Sequence, residues 1–132
     1  MSDPQNEWEA LGVSAALANS YAQDARGFLP LLAGFLQAAL PAETAVERKG
    51  GLFQKTKPIH KITVSLGENV YALEDMGHGA LTAQRAKIVR GIRLKTDTLP
   101  VEDWLAELSD EITHRARRSE KAFFALKELL RG

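Results

Sequence analysis

Cysteine is missing from this chain of 132 residues, and that absence removes disulfides, thiolate metal sites and cysteine nucleophiles together. It fits a reducing compartment. Charge of one sign is also missing. Seventeen basic side chains balance seventeen acidic ones, whereas a strong nucleic-acid binder usually carries a clear basic excess. Long apolar runs are lacking too: the most apolar window, Gly27 to Leu40, is shorter than the roughly 20 residues a membrane helix needs. The start, Met1-Ser2-Asp3-Pro4-Gln5-Asn6-Glu7, is acidic and polar, without the basic-then-apolar pattern of a signal peptide. These absences lead to the expectation of a cytoplasmic protein with no membrane insertion.

What is present is an ordinary globular composition, 45% hydrophobic and 26% charged, enough to bury a core in a single domain over residues 1–132. Charge is unevenly spread within the zero total. Residues 41–100 hold ten basic and six acidic side chains, while residues 1–40 hold one basic and four acidic.

Three patterns follow one another. From about 13 to 40, Leu17, Tyr21, Phe28, Leu32, Phe35, Leu36 and Ala39 recur at spacings of three and four, which predicts a helical segment. Ser14 or Asn19 is a candidate cap. Gly27 and Pro30 predict a kink or break near 26–30. From about 43 to 95 the chain is punctuated by Gly50-Gly51, Pro58, Gly67-Glu68-Asn69 and Gly77-His78-Gly79, which separate short strand-like runs. Thr44 to Lys49 suits an edge strand. Ile59 to Leu66 alternates well, and Asn69 to Glu74 is its partner across a tight turn. Leu81 to Lys95 reads as one long extended segment in which Gly91 marks a bulge or a close backbone approach, although helix remains an alternative for Leu81 to Val89. From about 101 to 131, Trp104, Leu105, Leu108, Ile112, Phe123, Leu126 and Leu130 form one helical stripe, opened by Pro100.

The fold class expected is therefore α+β: a four-stranded antiparallel sheet flanked by an N-terminal helical segment and a long C-terminal amphipathic helix, α-β-β-β-β-α. A helix of that length, roughly 45 Å at 1.5 Å per residue, overhangs a four-stranded sheet about 15–20 Å across. Trp104, Leu108, Ile112, Phe123 and Leu126 are thus candidates for helix packing or for a homodimer contact.

Chemistry-bearing constellations are few. His60, His78 and His114 have no second ligand at metal-binding spacing, so neither a metal nor a cofactor is expected. Gly50-Gly51 is followed by Lys55-Thr56 that runs into Lys57-Pro58, which is not the lysine-threonine helix opening of a phosphate loop. No nucleophile elbow and no acid–base pair of carboxylates can be argued, so no catalytic residue is expected and an enzyme is not. Leu52 and Phe53 are adjacent apolar residues in a loop, beside Lys55 and Lys57; they either fold back on the core or meet a partner. Lys61, Arg85, Lys87, Arg93 and Lys95 form a basic set, and no acidic residue lies between Met76 and Thr96. That set is either a solvated outer face or a surface for nucleic acid or another anion. Few aromatics interleave it, which disfavours base stacking.

The segments Leu40-Pro41-Ala42-Glu43-Thr44, Glu47-Arg48-Lys49-Gly50-Gly51-Leu52-Phe53 and Val89-Arg90-Gly91-Ile92-Arg93-Leu94-Lys95-Thr96, with Leu99-Pro100 and Trp104, resemble a group of small uncharacterised bacterial proteins over about residues 40–130. That resemblance implies no activity and no functional residue. The order helix, sheet, helix is similar in outline to the YbaB/EbfC family of nucleoid-associated proteins, which form dimers through their sheets. This chain lacks their methionine- and glutamine-rich first helix. The functional expectation is a non-catalytic interaction or adaptor protein, a homodimer that binds a protein partner. The alternative is non-specific nucleic-acid binding by a basic sheet face.

Overall fold

A computed structural model of the chain describes residues 15–50, 58–77, 80–116, 125, 127 and 128. Helix α1 covers residues 15–23 and α2 covers Ala25–Ala39. Five strands follow: β1 Thr44–Arg48, β2 Ile59–Leu66, β3 Asn69–Asp75, β4 Leu81–Val89 and β5 Ile92–Leu99. Helix α3, Val101–Ala116, comes next. The class is α+β with one antiparallel sheet in the order β1-β2-β3-β4-β5.

The expected four strands are therefore corrected to five, and the reason lies in two residues. Arg90 and Gly91 both have positive φ, 52° and 80°. Val89 pairs directly with Ile92 across them. Two central residues at positive φ make the tight turn whose twist matches a hairpin. Gly91 is thus the second residue of a turn, and the long segment Leu81 to Lys95 folds back on itself. The bulge lies further along, where Lys87 pairs with Lys95 but Ile88 pairs with Arg93, leaving Leu94 without a partner. Leu81–Val89 is strand throughout. Gly67, at φ 63°, is the first residue of the two-residue turn between β2 and β3, where Leu66 pairs with Asn69, and there only one central residue has positive φ.

The expected break near residues 26–30 falls earlier, at Asp24. The Asp24 carboxylate accepts a hydrogen bond from the Gly27 amide at 3.0 Å, capping α2, while the Asp24 amide still donates to the Ser20 carbonyl of α1. This one residue closes one helix and opens the next. Pro30 sits inside α2 on its exposed side.

Among the described residues, α1, α2 and α3 lie against one side of the sheet. Ile62, Val64, Leu66, Tyr71, Leu73 and Ala83 are buried in one cluster with Leu17, Phe28, Leu32 and Leu36 of the first two helices and Trp104, Leu105, Leu108 and Ile112 of α3. Cross-strand pairing places Ile62 beside Leu73 and Leu73 beside Ala83, so period-two alternation puts one apolar row under the helices. Helix α2 packs on β1 and β2, and α3 packs on β4. Ser109 and Thr113 are buried on α3, and each hydroxyl donates to the carbonyl four residues back, which satisfies it inside the core. No helix of the described residues is long and apolar enough to cross a membrane.

Candidate functional site

Trp104 anchors α3 to the sheet. Its indole is fully buried, its Nε1–H donates to the Gln84 carbonyl at 3.0 Å, and its ring meets Tyr71 edge-on at 6.2 Å. Beside it, Arg85 projects from β4 to the same side. Its Nη1 donates to both Glu107 oxygens at 2.5 Å and its Nη2 to Asp97 Oδ2 at 3.1 Å. Those side-chain hydrogen bonds, to Glu107 first, hold the guanidinium pKa above its ordinary value. Burial pushes the Tyr71 hydroxyl up to about 12, and the nearby carboxylates, Glu107 foremost, add to it. Arg85 is thus consumed by a clamp between β4, β5 and α3.

This placement divides the basic set read from the sequence. Lys61 pairs in register with Glu74 and alternates with buried Ile62, which sets it on the sheet side away from the helices. Arg85 and Lys87 lie on the helix side. The Arg93 guanidinium donates to Thr96 Oγ1 at 3.2 Å, and Thr96 pairs with Ala86 on the far side. No single basic sheet face exists. Leu52, Phe53, Lys55 and Lys57, and likewise Phe123 and Leu126, lie outside the described residues. Trp104, Leu108 and Ile112 are fully buried within the chain.

What the fold does bring together is the far end of the β4–β5 hairpin. Strand β3 pairs with β4 only as far as Asn69 opposite Lys87, with one more backbone bond from the Ile88 amide to the Glu68 carbonyl. Beyond that the two strands project as a ribbon. Lys87, Arg90, Arg93 and Lys95 are all exposed there. Ile92 and Leu94 lie among them, 64% and 60% exposed, which is unusual for large aliphatic groups in a strand. Among the described residues Lys87 and Arg90 have no ion-pair partner, and Lys95 reaches only Asp97 Oδ1 at 3.6 Å.

Two local features of this end oppose stability. Lys87 and Lys95 stand directly opposite each other, and like charges in that position repel. Arg90 holds a left-handed φ of 52°, a conformation that disfavours a residue with a Cβ. The sequence places Arg90 in the same basic run but on the other side by parity; the two aliphatic residues are missed as site members, because the turn that gathers them is not evident from it. The signal available was Arg90-Gly91 between two strand-like runs.

A second candidate lies at the opposite end of the sheet, an open cleft of about 440 Å³ bordered by Lys49, Ile59, His60, Glu74, Asp75 and Met76. His60 Nε2 meets Glu74 Oε2 at 3.0 Å, and Asp75 Oδ1 accepts from the Gly77 amide at 2.9 Å. Glu74 is engaged by His60, and Asp75 is occupied by its own turn. No group of three or more potential metal-ligating side chains occurs among the described residues. The chain matches no family model, no curated protein and no solved structure.

Proposed function

We propose that this chain is a non-catalytic interaction module, cytoplasmic and homodimeric, that docks an acidic protein partner through the projecting end of the β4–β5 hairpin. The observation that carries this reading is the concentration of unfavourable choices at one place. A like-charge pair, an arginine at positive φ and two exposed aliphatic side chains all occur within nine residues, 87–95. Such local choices against stability, gathered in one place, are where a partner is meant to complete the surface. Cations alone suit any anion. Ile92 and Leu94 favour a protein, because a protein surface offers apolar contacts, whereas most contacts to duplex DNA go to phosphate and sugar.

The test uses two double variants as bait in captures from the cells that make the protein. Ile92→Ser with Leu94→Ser, and Arg90→Glu with Arg93→Glu, should each release the same protein that the unaltered chain retains. Binding to a DNA duplex is measured alongside. An affinity that falls steeply with salt and ignores the aliphatic variant would replace the acidic protein with nucleic acid.

A further inference from the structure

The sheet has two edges, β1 and β5, and they are finished differently. Strand β1 is short, α2 packs on it, and its Thr44 hydroxyl donates to the Leu36 carbonyl at 3.4 Å. Strand β5 is longer and most of its residues are exposed, while α3 packs on β4. The register shows which backbone groups the β5 edge offers. The Ile88 amide donates to the Glu68 carbonyl in the β2–β3 turn, so Ile88, Ala86 and Gln84 turn their backbone groups toward β3. In an antiparallel ladder the residues opposite such groups turn theirs the other way. Thr96 lies opposite Ala86 and Thr98 opposite Gln84. Each therefore directs an N–H and a C=O away from the sheet, and among the described residues no backbone bond reaches them. Both side chains are exposed, and both are β-branched, which suits extended backbone.

We infer that this edge takes an extended acidic segment of the partner protein as a sixth strand. The inference rests on the docking reading above and carries it from the hairpin end along β5. When a strand is added to an open edge, main-chain hydrogen bonds give affinity and side chains give selectivity. Charge selects the occupant here. Arg90, Arg93 and Lys95 lead into the Thr96–Thr98 stretch, and its one carboxylate, Asp97, is already held by Arg85 at 3.1 Å. Acidic side chains on the added strand answer these cations, and aliphatic ones meet Ile92 and Leu94. A second copy would bring the same cations along this strand and no unspent carboxylate. The bulge at Leu94 and the cations beside it are also the devices by which an edge refuses indiscriminate pairing. They restrict it to a segment of matching charge.

The test is amide hydrogen exchange by NMR on the full chain, with and without a short synthetic peptide of alternating glutamate and valine. In the free chain the Thr96 and Thr98 amides should exchange fast, and the Asp97 amide, which faces β4, slowly. The peptide should slow Thr96 and Thr98 at least about tenfold and leave Asp97 unchanged. A peptide of alternating lysine and valine should slow neither. Thr96→Pro removes one outward N–H without removing a bond to β4, and should weaken binding of the acidic peptide about tenfold or more. Thr96→Val keeps the amide and should bind as the unaltered chain does. The exchange pattern decides the matter if Thr96→Pro does not fold. Peptide binding that leaves Thr96 and Thr98 exchanging fast would overturn the added strand and leave docking at the hairpin end intact. So would an absence of peptide binding while Arg90→Glu with Arg93→Glu still releases the captured protein. Retention of that protein by the double variant would overturn the docking reading, and the added strand with it. Slow exchange at Thr96 and Thr98 in the free chain would mean that a second copy or another segment already covers the edge, and would overturn the inference.

Discussion

The same two strands, β4 and β5, are built in opposite ways at their two ends. Near α3, Ala83 pairs with Leu99 and Arg85 with Asp97. There Ala83 is buried, Trp104 caps the row, and Arg85 is held by two carboxylates. At the far end Lys87 faces Lys95, Leu94 has lost its partner to a bulge, and Ile92 is exposed. Ladder bonding continues through both ends, so backbone pairing does not distinguish them. Side-chain choice does. The near end is composed for stability, and the far end withholds stability that other residues at the same positions would supply.

This contrast is broken most directly at Trp104. Trp104→Ala removes a fully buried indole that meets Tyr71 and donates to Gln84, and should destabilise the fold by about 3–5 kcal/mol in urea unfolding. A loss under about 1 kcal/mol would mean that α3 does not depend on this anchor.

Alkaline pH tests the surroundings of Tyr71. The folded-state pKa is raised from 10.0 to about 12, so the folded chain holds the phenol proton more tightly than the unfolded one. The contribution is complete below about pH 10 and is lost as pH rises toward 12, a fall of roughly 2–3 kcal/mol. Urea unfolding between pH 9 and 12, compared with Tyr71→Phe, isolates it. Equal pH slopes in the two proteins would remove Tyr71 from the account.

The clamp comes next in size. Arg85→Met keeps the apolar stem and deletes the bonds to Glu107 and Asp97. The three side chains are about a third exposed, so water takes up part of the loss. A destabilisation of about 1–2 kcal/mol is expected, read from the urea midpoint. No change would make the clamp a surface pair of little weight.

Much of this architecture was legible because alternation and glycine turns are local signals. Ile62, Val64 and Leu66 alternate with Lys61, Thr63 and Ser65, and Gly67 closes the hairpin to Asn69. The helix after Pro100 was legible from its stripe and its acidic start, Glu102 and Asp103. The β4–β5 hairpin was not, because its turn uses arginine where asparagine or glycine is the usual sign. The Asp24 break was hidden behind the louder signals of Gly27 and Pro30. The division of the basic set was hidden for another reason. Arg85 meets Glu107 across 22 residues of sequence, and such a contact follows from how α3 lies on β4, which no local pattern encodes. Sheet parity also failed there, since the bulge at Leu94 changes the side on which Arg93 falls.

The smallest expected effect is the one that bears on the central claim, and its sign matters more than its size. Arg90→Asn relieves the left-handed φ, and Lys87→Glu turns a repelling cross-strand pair into an attracting one. Together they should raise the unfolding free energy by about 1 kcal/mol while abolishing capture of the partner protein. Urea unfolding of that double variant beside the unaltered chain is the measurement to make. A more stable protein that no longer binds is the predicted result. A less stable one would mean that the far end of the hairpin already serves the fold, and would contradict the proposed binding site.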